Sequence, residues 1–323
     1  MKNIKLGRES GIIAALTVMV IIFSLISPIY LSSDNIVDIV KQSTINGLLG
    51  IGITLAIITG GIDLSIGSTF AIIIVSVGKL LVMGVNPVLA FTIGIVLGFT
   101  LGLVNGFLIA KIKLQPFIAT LGTMSIYRGI AYIITGGWPV LDIPEGFRKA
   151  LDGDIFGHIP ASVVLLFIVG TLMWIVLKYT RFGNYIYALG SNEEATRLSG
   201  VNVDRNKMLA YAFCGIGAAL AGMVLLARLG TGEPTAGQGY ELNAIAAAAV
   251  GGTSLIGGKG TMLGTILGTI LLSALRVVLI VVGVDSFWQY IATGIIIVIA
   301  ACFEIIQNKI SSMKSLKLGK ANL

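Results

Sequence analysis

Charge is what this sequence has least of. Asp, Glu, Lys and Arg together make up 11% of the 323 residues, against roughly a quarter in soluble domains. Such a chain lacks the polar side chains to cover a surface facing water, which excludes an ordinary soluble globule. Histidine occurs once, at position 158, and has no clustered partner for a catalytic triad or a metal site. Cys214 and Cys302 lie far apart in apolar runs, match no redox or zinc spacing, and read as small buried residues. No nucleophile–base pair and no HExxH pattern is present, so neither an enzyme nor a resident metal or cofactor is expected. Acidic residues number 15, and almost none falls in the middle of an apolar run. That argues against coupling to an ion gradient, which usually needs intramembrane acids.

What is present is apolar. Hydrophobic residues make up 56% of the chain, with 42 glycines and a mean hydropathy of +0.97. Glycine at this density suits helices that approach closely in a bilayer. A crossing needs about 20 apolar residues, and ten stretches qualify: 11–29, 43–60, 65–83, 87–110, 117–135, 160–178, 207–227, 241–257, 261–282 and 286–306. Backbone groups in lipid must be satisfied internally, so these are expected to be helices. The expected fold is therefore an all-α integral membrane protein, one permease-like domain over 1–323. The first apolar run is followed by Ser27-Pro28-Ile29-Tyr30 rather than a cleavage signal, so it reads as a retained span.

Net charge is +7, but its distribution points to membrane orientation rather than nucleic-acid binding. With the N-terminus inside, cytoplasmic segments hold 15 basic residues, from Lys2, Lys5 and Arg8 to Lys309, Lys314, Lys317 and Lys320. The outer segments hold four: Lys41, Arg148, Lys149 and Arg228. By the positive-inside rule both termini are expected in the cytoplasm. Lys79, Arg128 and Arg276 fall inside spans. Lys79 and Arg276 are expected to reach the interface on their long side chains, whereas Arg128 fits either structural pairing or a place along a path.

Two hydrophilic segments stand out: an outward loop over 136–159, carrying Arg148 and Lys149, and an inward loop over 179–206. In the inward loop Glu193, Glu194, Ala195, Thr196, Arg197 and Leu198 favour a short helix, with Asn192 as N-cap and Gly200 as its end. Such a helix would be a rigid peg. Two glycine-rich junctions, GGIDLSIGS at 60–68 and GGTSLIGGKGT at 251–261, read either as broken helices beside a cavity or as tight turns. On either reading Asp63 is placed to cap the third helix. Asn46, Asp63, Ser65, Asn105, Arg128, Asn243, Trp288 and Gln289 are the residues from which a polar path for a sugar-like solute would be built. The polar side chains among them equally suit hydrogen bonds between helices.

Four ordered motifs carry a resemblance: GGIDLSIGS at Gly60, NGFLIAKIKLQPFIATLGTM at Asn105, YALGSNEEATRLSGVNV at Tyr187 and GYELNAIAAAAVGGTSLIGGKG at Gly239. Over about 36–305 the chain resembles the permease subunits of bacterial ATP-binding cassette importers for simple sugars, the family that includes ribose permeases. The resemblance implies import of ribose or a related monosaccharide across the bacterial inner membrane. It also implies a dimer with a second copy or a paralogue, a cytoplasmic ATPase carrying ATP and Mg, and a periplasmic or lipid-anchored binding protein that delivers the sugar. It places the ATPase-coupling helix at Glu193, Glu194, Ala195, Thr196, Arg197, Leu198, Ser199 and Gly200, with Thr196 departing from the family's small-residue pattern. Charge reversal at Glu194 and Arg197 is then expected to uncouple transport. Arg148 and Lys149, facing outward, are expected to meet the binding protein. The competing reading is an ATP-independent channel or a secondary carrier for a small polar solute.

Overall fold

A computed structural model describes residues 10–155 and 159–285, and beyond them 287, 288, 291, 292, 294–296, 298, 299 and 302. His158, Gln289 and the basic tail lie outside these, as does much of the expected last span.

Helices form where apolar length and a cap coincide. α1 (Ser10–Ile26) is followed by a short 3-10 turn, Pro28–Leu31. α2 (Ser33–Ile58) starts after Ser32, whose side chain accepts from the Asn35 amide. This cap extends the helix ten residues before the apolar run, so Lys41 stands in a helix rather than in a loop. α3 spans Ile66–Val82. α4 (Pro87–Ala110) begins with the Asn86 side chain accepting from Val88 N, and with a proline whose missing amide costs nothing at the first position. α5 (Pro116–Thr135) ends on Gly136 at a φ of 65°. The 136–159 loop contains α6 (Glu145–Asp152) and a two-residue antiparallel pair, β1 (Asp154–Ile155) with β2 (Ile159–Pro160). α7 (Ala161–Tyr179) leads into α8 (Arg181–Ser191) and α9 (Glu193–Leu198), then the long α10 (Val203–Leu229), α11 (Tyr240–Val250) and α12 (Met262–Val281). The described chain is essentially all-helical. Five of its helices, α4, α5, α7, α10 and α12, are long and apolar enough to cross a membrane.

α10 is the axis: 83% of its apolar window is buried, against 22% for α4 and for α7. α4 reaches it through a row of glycines at four-residue spacing. A Cβ on Gly98, Gly102 or Gly106 would lie 2.5 Å from Gly215 O, 2.2 Å from Tyr211 O or 2.6 Å from Met208 Cα. The two backbones touch because nothing stands between them. α2 is buried throughout Ser43–Ile58 on the opposite flank of α10. The other faces of α4, α5 and α7 leave Val88, Ile118, Ile133 and Phe167 exposed. Such surfaces suit hydrocarbon and would be unstable in water. Cys214 is buried, whereas Cys302, expected to be buried as well, is exposed.

The broken element is not where the glycine junctions suggested. Over 231–239 the chain runs unwound along α3. Gly232 pairs with Val140 and lies against Ile74, while Gly237 lies against Gly67 and Phe70. Gly67 is about two turns, or 10 Å, along α3 from Ile74, so α11 begins deep in the molecule. At 11 residues it is a half-helix, shorter than the expected 241–257 span. The junctions at 60–68 and 251–261 are turns packed on each other: Gly258 N donates to Ile58 O, and a Cβ on Gly257 would lie 2.9 Å from Gly60 Cα.

Candidate functional site

The α9 end of the molecule is built by local capping. Asn192 has extended backbone, and its Oδ1 accepts from Ala195 N at 2.9 Å. Gly200, at a φ of 81°, closes the turn with its amide on Arg197 O. Thr196 is buried and its hydroxyl donates back to Asn192 O, while Ser199 Oγ donates to Ala195 O. Glu193 is paired with Arg197 at 3.2 Å and with Lys207 at 2.5 Å. Arg197 also reaches Asp204, which takes Lys111 and Lys113 from the α4–α5 turn at 3.1 and 2.9 Å. Partial burial raises the Glu193 carboxyl, but hydrogen bonds and charge from Lys207 and Arg197 outweigh it and hold the group below its ordinary range. One such surface pair is worth little, but two of them, Glu193 with Lys207 and Arg197 with Asp204, tie α9 to the start of α10, and Lys111 and Lys113 share the same Asp204. Glu194 and Leu198, one turn apart, point away from this network. Glu194 is exposed and makes no ion pair among the described residues, and Leu198 is 83% exposed.

A second cluster is buried where α2, α3, α4 and α10 meet. Asp63 Oδ1 accepts from Ser65 N at 2.9 Å and from Ser65 Oγ at 2.7 Å. Asn105 Nδ2 donates to Ser65 Oγ at 2.6 Å and approaches the carboxylate at 3.4 Å. The buried Cys214 thiol lies beside the same carboxylate. Asp63 therefore does not cap α3: the helix starts after Ser65 with no side-chain cap, because the carboxylate is spent on Ser65. Asn105 Oδ1 and the Tyr211 hydroxyl, both buried, have no partner among the described residues.

Asn46 and Asn243 come together in a narrow recess of about 20 Å³ between α2, α11, α12 and the chain near Ala292, with Thr269 and Arg276. Asn46 Oδ1 is buried there without a partner. Arg276, expected to run to the interface, is among the residues that line this recess. Arg128 ties the unwound segment down, its guanidinium donating to Pro234 O and Ala236 O at 2.7 Å each and to Gly67 O at 3.4 Å. Lys79 donates to Ile134 O at the end of α5. Trp288 is 61% exposed and does not line the recess. On α6, Lys149 pairs with Glu145 at 2.7 Å and Arg148 Nε donates to Ala227 O at 3.3 Å. Sequence reasoning missed Asp204, Tyr211 and Thr269. The lysine partners of Asp204 lie more than 90 residues away, Tyr211 and Thr269 sit in the interior of apolar helices, and no spacing rule announces any of the three.

A family model described as the permease component of a branched-chain amino acid transport system matches residues 35–301. The ribose import permease protein of Escherichia coli (strain K12) is 40% identical over 304 residues, 92% of this chain and 93% of its own. That of Bacillus subtilis (strain 168) is 42% identical over 299 residues, 92% of each chain. The galactose/methyl galactoside import permease protein of Escherichia coli (strain K12) is 35% identical over 315 residues, 92% of this chain and 94% of its own. No solved structure matches. The family model is the broad one, and the named relatives fall on its sugar side, as GGIDLSIGS and GYELNAIAA suggested. The chain belongs to this family of import permeases, membrane transport subunits of ATP-binding cassette importers rather than enzymes.

Proposed function

We propose that this chain carries ribose or a related monosaccharide across the bacterial inner membrane, as the ten-span permease of an ATP-driven importer with both termini in the cytoplasm. The observation that carries this reading is α9. A six-residue helix capped at both ends and tied to the start of α10 by two ion pairs, Glu193 with Lys207 and Arg197 with Asp204, presents Glu194 and Leu198 outward, as a coupling peg must if it is to transmit force. A cytoplasmic ATPase, holding ATP and Mg, docks there. A sugar-binding protein delivers cargo at the α6 end, where Arg148 and Lys149 stand, and a second permease copy or a paralogue completes the path. The recess of Asn46, Asn243, Thr269 and Arg276 supplies donors and acceptors suited to a hydroxyl-rich solute.

Reconstitution with the co-purified ATPase and binding protein tests the proposal. Glu194→Arg with Leu198→Ala is expected to lower ATP-driven uptake roughly tenfold or more, the weight of an interface hot spot, with insertion and monodispersity kept. Arg197→Glu, by contrast, breaks the network around Asp204 and lowers stability too. Full uptake by the Glu194/Leu198 variant, or uptake indifferent to ATP, overturns the reading.

A further inference from the structure

At the α9 end, a groove of about 520 Å³ lies between the end of α7, α8 and the first turns of α10. Its floor is apolar: Val176, Phe182, Leu209 and Phe213 line it, with the Phe182 and Phe213 rings 5.6 Å apart. Asn202 and Arg205 stand at its rim. The nearby cations Lys111, Lys113, Arg197 and Lys207 are all matched by Glu193 or Asp204. Arg205 is exposed and has no ion pair among the described residues. No acidic residue lines the groove, and between Asp154 and Glu193 the chain has none, while Lys178 and Arg181 lie there. Lys178 sits 4.8 Å over the Trp174 ring and 5.2 Å over Tyr179, an arrangement typical of the level where hydrocarbon meets water.

We infer that this groove binds an anionic phospholipid, its phosphate at Arg205 and Asn202 and an acyl chain along Phe182, Leu209 and Phe213. Depth favours a lipid over a soluble partner. Phe213 lies ten residues into α10, about 15 Å along the helix, so a protein docked on α9 covers the rim without reaching the floor. The charge is complementary, and basic pockets between spans at the cytoplasmic face favour anionic headgroups. Because the groove adjoins the connector from α9 to α10, its occupant touches the hinge of the coupling peg. The inference rests on the membrane reading proposed above, not on the identity of the cargo.

The test uses the full-length protein in nanodiscs of mixed phosphatidylglycerol and phosphatidylcholine, with native mass spectrometry of retained lipid. Wild type is expected to keep phosphatidylglycerol preferentially. Arg205→Gln is expected to lower that retention roughly fivefold, the weight of one basic residue at an anionic surface. Arg205→Lys should retain most of it, and Leu209→Trp, which fills the floor, should lose both lipids. A photo-crosslinker at Val201 in otherwise unaltered protein should capture lipid. No preference in wild type, unchanged retention in Arg205→Gln, or crosslinking to a second copy or to the ATPase would each overturn the site. Because lipid is read on the permease itself, such a failure leaves the importer reading standing, and a failure of that reading shows instead in uptake.

Discussion

Asp63 is buried to 2% exposure with no lysine, arginine or histidine paired to it among the described residues. Donors hold it: Ser65 through both its amide and its hydroxyl, and Asn105. Removing the acceptor leaves buried donors facing nothing, which costs more than the hydrogen bonds contribute net. Asp63→Ala is expected to destabilise the protein by about 1–3 kcal/mol, read as a lower thermal midpoint in detergent. Asn105→Leu should then cost less in the Asp63→Ala background than in wild type, because the two share a network. Strict additivity would show that the cluster does not act as a unit. Asp63, Ser65 and Asn105 were legible as polar residues in apolar surroundings. That Asn105 meets the other two, 40 or more residues away, was not.

At the scale of elements, the α4–α10 contact is set by absent side chains. Gly102→Ala puts a methyl group 2.2 Å from the Tyr211 carbonyl, and the backbones must part. The expected cost is about 1–3 kcal/mol, as for overpacking elsewhere. Gly129→Ala is the control: it also lies in a helix, α5, but its Cβ would meet nothing within 4 Å, so stability should hold or rise slightly. Equal midpoints for the two variants would refute the close-approach account. Helix positions were largely readable because hydropathy and caps coincide, as at Asn86-Pro87, Gly136 and Asn192. α8 was not foreseen, since a half-exposed helix shows neither long apolar length nor strong charge pattern. The early start of α11's break was missed because its register depends on Arg128, more than 100 residues away.

For the whole molecule, the topology proposed above, ten spans with both termini inside, would place α9 and the α5–α6 loop on opposite faces. In a cysteine-free background, a cysteine at Leu198 should react with an impermeant maleimide only from the cytoplasm, and one at Trp138 only from outside. Labelling of both from one side would invert or break the proposed topology. α10 spans the distance between these faces with 27 residues, about 40 Å. Asp204 in its first turn is gripped by Lys111, Lys113 and Arg197, and Arg228 in its last turn grips Asp152 of α6 at 3.1 Å. A rod fastened at both ends and packed along its length neither stretches nor shortens; it tilts. A rotation of about 5° about its midpoint carries the two ends about 2 Å in opposite directions. On the importer reading proposed above, the protein would work as a seesaw, in which a push on the peg and a change at the far mouth are the same movement.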